Sequence, residues 1–114
     1  MKEFLLMASI VNLSDLEAKA DQVAAVMKAL ANPRRLLILC HLADVGSASV
    51  NALAATVGLS QSALSQHLSV MRDEGLVGFD RVGQTLNYRI ADPRMTALLD
   101  TLYSLYCAPT GDPQ

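Results

Sequence analysis

The sequence predicts a mainly helical chain with one small β-hairpin, and three observations indicate this fold class. Residues 49–75 have the spacing of two short helices joined by a tight turn. The hydrophobic period then changes from helical to alternating in two runs separated by Gly83-Gln84, which is typical of a β-hairpin. The segments on either side show helical spacing with capping signals at their ends. Together these patterns predict a winged helix-turn-helix.

Length and composition favour one domain that pairs with a second subunit. The 114 residues are 52% hydrophobic, which suits helices that bury more than one face. We predict a dimeric single domain over 1–114, with an N-terminal extension at about 1–13 and a flexible tail at about 108–114. The formal net charge of −2 argues against nucleic-acid binding, but phosphate contacts depend on where the basic residues lie. The positions of Arg72, Arg81 and Arg89 favour a locally positive face.

The helix-turn-helix extends from Ser49 to Gly75, with its turn at residues 57–60. Gly58 lies where a helix end favours the left-handed conformation. The hydroxyl of Ser60 can then cap the second helix. These two signals predict a tight turn, and therefore a second helix held at a fixed angle to the first.

The second, or recognition, helix has one apolar and one polar side. Leu64, Leu68 and Met71 repeat at the i, i+4, i+7 spacing of a buried face. The opposite side carries uncharged groups that form hydrogen bonds: Gln61, Ser62, Ser65, Gln66 and Ser69. Amide side chains pair with adenine, and hydroxyls pair with several bases, so this side suits base edges in a major groove. The alternative is an ordinary solvated helix surface, which usually carries Glu and Lys.

Two helices are predicted before the helix-turn-helix. Ser14-x-x-Glu17 is a capping box that opens the first helix, and Asn32-Pro33 ends it. Its apolar side consists of Leu16, Ala20, Val23, Ala24, Met27 and Leu30. The next helix begins at Pro33 and ends near Val45. Its predicted inner side consists of Leu36, Leu39, Cys40 and Ala43.

A wing and a last helix complete the predicted fold. Runs 76–82 and 85–90 form the two strands of the wing, and residues near its tip can contact phosphate or the minor groove. The alternative is a hairpin that only covers the core. Asp92 caps the last helix with Pro93 at its first position. One side of that helix carries Met95, Leu98, Leu99, Leu102, Leu105 and Tyr106. The predicted DNA-binding residues are Ser60, Gln61, Ser62, Ser65, Gln66, His67, Ser69, Arg72, Arg81, Gln84 and Thr85.

With these elements in this order, the sequence resembles the ArsR/SmtB family of winged-helix transcriptional repressors over nearly its whole length. The resemblance lies in three segments: residues 29–36, ALANPRRL; residues 59–68, LSQSALSQHL; and residues 83–89, GQTLNYR. It implies a homodimer, held by the first and last helices, that binds a palindromic double-stranded operator and releases it when an inducer arrives. Two recognition helices would then match half-sites about one helical turn, roughly 34 Å, apart.

Many members of this family sense metals, and the resemblance identifies where their ligands lie. The arsenic and cadmium type has a Cys-x-Cys pair at the positions of Ser49 and Asn51, so its thiolates are missing here. The zinc and nickel type uses Asp, His and Glu of the last helix, where this chain offers Asp92 and Asp100 but no histidine. Carboxylates alone make a poor site for such metals. We expect no metal site and no cofactor, with metal sensing kept as an alternative.

Cys40 and Cys107 form the candidate sensor. Considered as residues alone, both are small hydrophobes, since free cysteine is among the most buried residue types. Their positions, in the second helix and near the end of the last, resemble those of the dithiol persulfide sensors of the family, the SqrR/BigR type. The resemblance implies that persulfide or other reactive sulfur joins the thiols by a disulfide or polysulfide bridge, after which DNA is released. The sequence gives neither the distance between the thiols nor which one attacks first.

The same sequence is compatible with two other classes of protein and argues against an enzyme. A regulator with inert cysteines and a helix-turn-helix used only for protein association stay open. An enzyme is not expected, because no nucleophile is accompanied by a base and an orienting acid, and no phosphate-binding loop is present. No apolar run has the length of a membrane span, and the first residues lack the charge pattern of a signal peptide. We therefore expect a cytoplasmic protein without membrane contact.

Overall fold

The computed structural model describes residues 12–107, and the chain divides into two compact units between Asn32 and Pro33. Apart from residues 12 and 13, the predicted N-terminal extension lies outside the described residues, and so does the predicted tail. The single-domain organisation therefore stays a prediction.

The first unit contains one described helix, α1 (Leu13–Leu30). Its N-cap is Asn12, whose side-chain oxygen accepts a hydrogen bond from the Ser14 backbone N–H at 2.8 Å. The predicted capping box at Ser14 is therefore wrong. Asparagine is as good an N-cap as serine, and Asn12 begins the helix two residues before Ser14. Most of the apolar side of α1 is exposed in the protomer, since the side chains of Leu16, Val23 and Met27 are 53%, 47% and 49% exposed.

The second unit is a winged helix-turn-helix, which confirms the predicted fold class. Its elements in chain order are α2 (Pro33–Val45), β1 (Ala48–Ser49), α3 (Val50–Val57), α4 (Gln61–Asp73), β2 (Val77–Val82), β3 (Thr85–Ile90) and α5 (Pro93–Tyr106). Helices α3 and α4 form the helix-turn-helix, and β2 and β3 form the wing. Helix α2 packs against α3, α5 and β3, so it lies behind the helix-turn-helix.

The predicted capping residues of the helix-turn-helix are confirmed. The Ser49 hydroxyl accepts from the Ala52 N–H at 3.2 Å and caps α3. Gly58 ends that helix with a φ of 72°, in the left-handed region that favours glycine. The Ser60 hydroxyl accepts from the Ala63 N–H at 3.1 Å and caps α4. Each bond satisfies a backbone donor that the first turn of a helix leaves unpaired.

The sheet has three strands rather than the predicted two. The hairpin is antiparallel, with Val82 opposite Thr85 across the two-residue turn Gly83-Gln84, as predicted. Strand β1 pairs antiparallel with β3, on the side away from β2, with Ala48 opposite Tyr88. Strand β1 was not predicted, because two residues are too few to show an alternating pattern.

The core confirms the predicted inner face of α4 and corrects that of α2. Leu64, Leu68 and Met71 are fully buried. In α2 the buried residues are Ile38, Leu39 and Leu42, whereas Leu36, Cys40 and Ala43 are half-buried. Because α2 is apolar nearly all round and packs on several elements, periodicity alone could not select the inner side.

The predicted apolar side of α5 is buried near the start of the helix and exposed near its end. Met95 and Leu99 are buried, whereas Leu105 and Tyr106 are 71% and 82% exposed in the protomer. Asp92 caps the helix by accepting from the Arg94 N–H at 2.9 Å, which confirms the predicted start. The end of α5 thus leaves apolar surface uncovered within one protomer.

Candidate nucleic-acid interface and thiol pair

The outer side of α4 presents the predicted recognition residues to solvent. Gln61, Ser62, Ser65, Gln66 and Ser69 are all exposed, because Leu64, Leu68 and Met71 hold the opposite side in the core. The other predicted residue on this helix, His67, is half-buried. The exposed side is polar and uncharged from its first residue to Ser69. Its amide and hydroxyl groups can therefore form hydrogen bonds with base edges.

Ser60 and Gln61 already have partners within the protein. The Ser60 hydroxyl is used in capping α4, so its main role in the protomer is structural. The Gln61 Nε2 group donates a hydrogen bond to Oδ1 of Asn51, which lies near the start of α3. Asn51 is exposed and was considered in the sequence only as a position where a metal-binding cysteine is missing. Its spacing of ten residues from Gln61 carries no periodic signal, so this contact depends on the angle between α3 and α4.

Arg72 lies at the end of α4 and contacts the wing. Its guanidinium carbon lies 5.1 Å from the centroid of the Phe79 ring, within the range of a cation–π interaction. Phe79 in turn packs against Tyr88 across the hairpin, with ring centroids 5.4 Å apart. Arg72 therefore links the recognition helix to the wing, while its side chain remains exposed.

The wing carries less free positive charge than its sequence suggested. The Arg89 guanidinium pairs with the Asp80 carboxylate on the neighbouring strand, at a distance of 3.0 Å. Arg81, Gln84 and Thr85 are exposed at and beside the turn of the hairpin. The predicted positive face is therefore reduced at Arg89, and Arg81 is the wing arginine nearest the tip.

Two arginines at the start of α2 reach the C-terminal ends of α3 and α4, the two helices of the helix-turn-helix. Arg34 Nη1 donates to the backbone oxygen of Val57, the last residue of α3, at 3.4 Å. Arg35 Nη1 lies 3.8 Å from Glu74 Oε1, at the C-cap of α4. Both arginines belong to the segment of residues 29–36 that carries the family resemblance. Their partners lie far along the chain, so only packing could identify them.

The two predicted sensor cysteines lie within electrostatic range of each other, and both are free thiols. Cys40 is half-buried on α2, whereas Cys107 is exposed and forms the C-cap of α5. Burial raises the pKa of the Cys40 thiol, and negative charge on Cys107 raises it further. Since α2 and α5 pack together, the fold brings one thiol of each helix to the same region.

Residues 12–107 contain neither a metal-binding cluster nor a membrane-spanning helix. Within that range, no three His, Cys, Asp or Glu side chains lie close enough together to hold a metal ion. None of the helices described there is long and apolar enough to cross a membrane.

Comparison with known proteins identifies the family of this chain. Residues 32–78 match the family model described as bacterial regulatory protein, arsR family. The HTH-type transcriptional regulator YgaV of Escherichia coli strain K12 is 45% identical over 95 residues, which are 83% of this chain and 96% of that protein. Matches of this identity and coverage include the helices and the wing as well as the central motif.

Solved structures agree with this assignment. The crystal structure of the transcriptional repressor BigR from Xylella fastidiosa has a TM-score of 0.78 and 34% identity, covering 87% of this chain and 100% of that one. A homodimeric winged helix-turn-helix domain of Mycobacterium bovis, Mb0332, has a TM-score of 0.70 and 39% identity, covering 78% of this chain and 82% of that one. The chain belongs to the ArsR family of bacterial regulatory proteins, which are DNA-binding transcriptional regulators and not enzymes.

Proposed function

We propose that this protein is a cytoplasmic, homodimeric repressor that binds double-stranded operator DNA and releases it when reactive sulfur joins Cys40 to Cys107. The observation that carries the proposal is the electrostatic proximity of these two thiols on packed helices, α2 and α5. Helix α2 therefore carries one of the two sensor cysteines and also contacts the helix-turn-helix that binds DNA.

Operator binding would use the polar side of α4 in the major groove, with the wing on the adjacent backbone. The exposed amides and hydroxyls of α4 supply base contacts, and Arg81 at the wing supplies a phosphate contact. Similarity to the repressor BigR supports repression as the direction of regulation. In this arrangement the core residues of α4 fix the angle at which its outer side meets DNA.

The homodimer would be held by the first and last helices. In α1 the exposed apolar side chains Leu16, Val23 and Met27 recur at helical spacing along one side. In α5 the exposed apolar side chains are Tyr103, Leu105 and Tyr106. Such surfaces are unfavourable in water and are typical of subunit interfaces. The homodimeric state of the similar Mycobacterium bovis domain supports this assembly.

Exposure favours Cys107 as the thiol that reacts first with a persulfide, RS–SH. Its thiolate attacks the outer sulfur, the S–S bond breaks, RS⁻ leaves, and Cys107 becomes a persulfide. The Cys40 thiolate then attacks Sγ of Cys107 and expels HS⁻, which leaves a disulfide. If a second RS–SH first converts Cys40 to a persulfide, its terminal sulfur attacks the same Sγ, expels HS⁻ and leaves a trisulfide. The raised pKa of the Cys40 thiol suits this second, intramolecular role.

The signal would pass from the thiols to DNA through α2. A bridge ties α2 to α5, and any displacement of α2 is transmitted by Arg34 to the end of α3 and by Arg35 to the end of α4. A hundredfold loss of operator affinity requires the bridge to favour the released state by about 2.7 kcal/mol. A coupling of that size lies within the range of about 1–3 kcal/mol that is typical of allosteric proteins.

The proposal is tested by operator release on persulfide treatment. A duplex that the parent protein selects from a randomised DNA library serves as the operator, and binding is followed by fluorescence anisotropy. We expect glutathione persulfide to release the parent but not Cys40→Ser or Cys107→Ser, and dithiothreitol to restore binding. Mass spectrometry of the parent should show a bridge between the two cysteines. If persulfide released operator DNA from either single variant as readily as from the parent, the proposed sensor would be wrong.

The same assay separates the alternatives. A regulator with inert cysteines keeps its operator under persulfide and after thiol alkylation. A metal sensor releases DNA on adding a metal ion, whether or not the cysteines are present. A protein-association module selects no duplex at all. Each result is distinct from the one expected here.

A further inference from the structure

We propose that Asn51 is a positioning residue for operator specificity, because it fixes the orientation of the Gln61 carboxamide before DNA binds. The proposal rests on the DNA-binding part of the function above and not on the thiol switch. Asn51 is the second residue of α3 and Gln61 is the first residue of α4. Their side chains join the starts of the two helices, because Gln61 Nε2 donates a hydrogen bond to Asn51 Oδ1.

Both residues are exposed, so burial does not hold the Gln61 side chain in one rotamer. A free glutamine loses rotamer freedom when it binds a base, and that loss lowers affinity and selectivity. The hydrogen bond to Asn51 restricts this side chain in the free protein. Binding then uses an amide that is already oriented.

The bond also decides which groups of Gln61 remain for DNA. The carboxamide has two N–H donors and one carbonyl acceptor, and one donor is taken by Asn51. The second N–H and the Oε1 acceptor remain, which are the two groups that pair with N7 and the N6 amino group of adenine. Without this restraint the carboxamide can rotate so that its NH2 group donates to the N7 or O6 acceptors of guanine instead. Asn51 would therefore favour adenine over guanine at the base that Gln61 contacts.

Asn51 and Thr56 provide a matched pair of substitutions on one helix. Both residues are exposed, but the Thr56 hydroxyl donates to Ala52 of its own helix, at 3.0 Å. Asn51→Ala removes the hydrogen bond that restrains Gln61. Thr56→Ala removes a polar group of the same helix but leaves that hydrogen bond in place. Asn51→Asp keeps an oxygen that accepts from Gln61 and adds a negative charge.

The experiment is selection of duplexes from a library with a randomised centre of about three helical turns. It uses the full-length parent and the variants Asn51→Ala, Asn51→Asp, Thr56→Ala, Gln61→Ala and the double alanine variant. Base frequencies at each operator position are the readout, and the melting temperature of each variant reports its folding. A purely structural role for Asn51 would weaken binding to all sequences alike and leave the base frequencies unchanged.

We expect Asn51→Ala and Gln61→Ala to lower the preference for adenine at the same operator position in each half-site. A fall of about tenfold, which corresponds to about 1.4 kcal/mol, matches the contribution of one amide–adenine pair. The double variant should lose no more than Gln61→Ala alone. Asn51→Asp should bind more weakly, because of charge repulsion, but keep the adenine preference. Thr56→Ala should behave as the parent.

Three results would overturn the proposal. Asn51→Ala could keep the base preference that Gln61→Ala loses, or it could change a different position. Asn51→Ala and Thr56→Ala could also change the preference equally, which would assign the effect to the helix rather than to the side chain. A parent that selects no duplex would refute DNA binding itself, and with it any orientation of Gln61 for a base.

Discussion

Arg34 of α2 donates a hydrogen bond to the backbone oxygen of Val57, the last residue before the turn of the helix-turn-helix. The C-terminal end of a helix has unpaired carbonyl groups and partial negative charge, so a guanidinium group there is favourable. Helix α2, which carries Cys40, is thereby joined to the motif that reads DNA.

Arg34→Ala should lower the free energy of unfolding by about 1 kcal/mol, since it removes one long hydrogen bond with a charged donor. It should also weaken the release of operator by persulfide, because a polar contact between α2 and the helix-turn-helix is lost. Urea unfolding and operator anisotropy measure the two effects. Arg94→Ala is the control, since Arg94 pairs only with its neighbour Asp92 in the contacts described and lies outside α2. Equal persulfide responses of the Arg34 variant and the parent would contradict this route.

Gly58→Ala should destabilise the protein by about 1 kcal/mol, because an alanine in the left-handed region brings its Cβ close to the carbonyl oxygen. The residue has a φ of 72°, and beyond its two chain neighbours no atom lies within 4 Å of the position of an added Cβ. The cost is therefore conformational and not a clash. Gly58→Asn should lose less, since asparagine tolerates this conformation better. If chemical denaturation ranked the two variants in the opposite order, backbone strain would not be the cause.

Arg81→Ala should reduce the salt dependence of operator binding, because each phosphate contact contributes about 0.9 to the slope of log K against log salt. Gln66→Ala should leave that slope unchanged while relaxing base preference, since an amide contact to a base releases no counterion. Both residues are exposed, so the fold should persist in each variant. Binding titrations over a range of salt concentrations check the slopes. A Gln66 variant that changed the slope as much as the Arg81 variant would argue against the assigned contacts.

Cys40 should react more slowly than Cys107 with iodoacetamide at neutral pH, because burial raises the pKa of its thiol and limits access. The difference should narrow as the pH rises through the raised pKa of Cys40. In Cys107→Ser the pKa of Cys40 should fall but stay above its ordinary value, since burial is the larger cause. Peptide mass spectrometry of timed alkylation samples measures both rates. A faster Cys40 at neutral pH would reverse the order of attack proposed above.

The same pKa shift has a consequence for stability. A thiol whose pKa is raised in the folded state stabilises that state below the pKa of the unfolded chain. This contribution is lost as the pH rises through the folded-state pKa of Cys40. Cys40→Ser should therefore show a smaller fall in melting temperature on alkalinisation than the parent, and a fall as steep as the parent's would contradict the assignment.

The features predicted correctly from the sequence are those encoded over short distances along the chain. Leu64, Leu68 and Met71 face the core because their spacing matches the helical period, and this places the polar side of α4 outward. Gly58 and Ser60 mark the turn because each satisfies a local backbone requirement. For the same reason the hairpin and its turn at Gly83-Gln84 were predicted correctly.

The errors arose where local signals were ambiguous. In α2, a nearly continuous apolar run fits several inner sides, and packing selected Ile38, Leu39 and Leu42. At the start of α1, Asn12 and Ser14 are both good caps, and the structure uses Asn12. Strand β1 is too short to have a period of its own.

The sequence by itself determined the DNA-binding elements of the protein. The recognition helix, its caps and the wing each follow from periodicity and turn chemistry within a few residues. Only the tertiary structure decided what these parts contact. It brought Cys40 near Cys107, placed Asn51 on Gln61, and joined Arg34 to Val57. Residues so far apart along the chain meet only when helices pack at particular angles, and those angles depend on the whole core rather than on any local pattern.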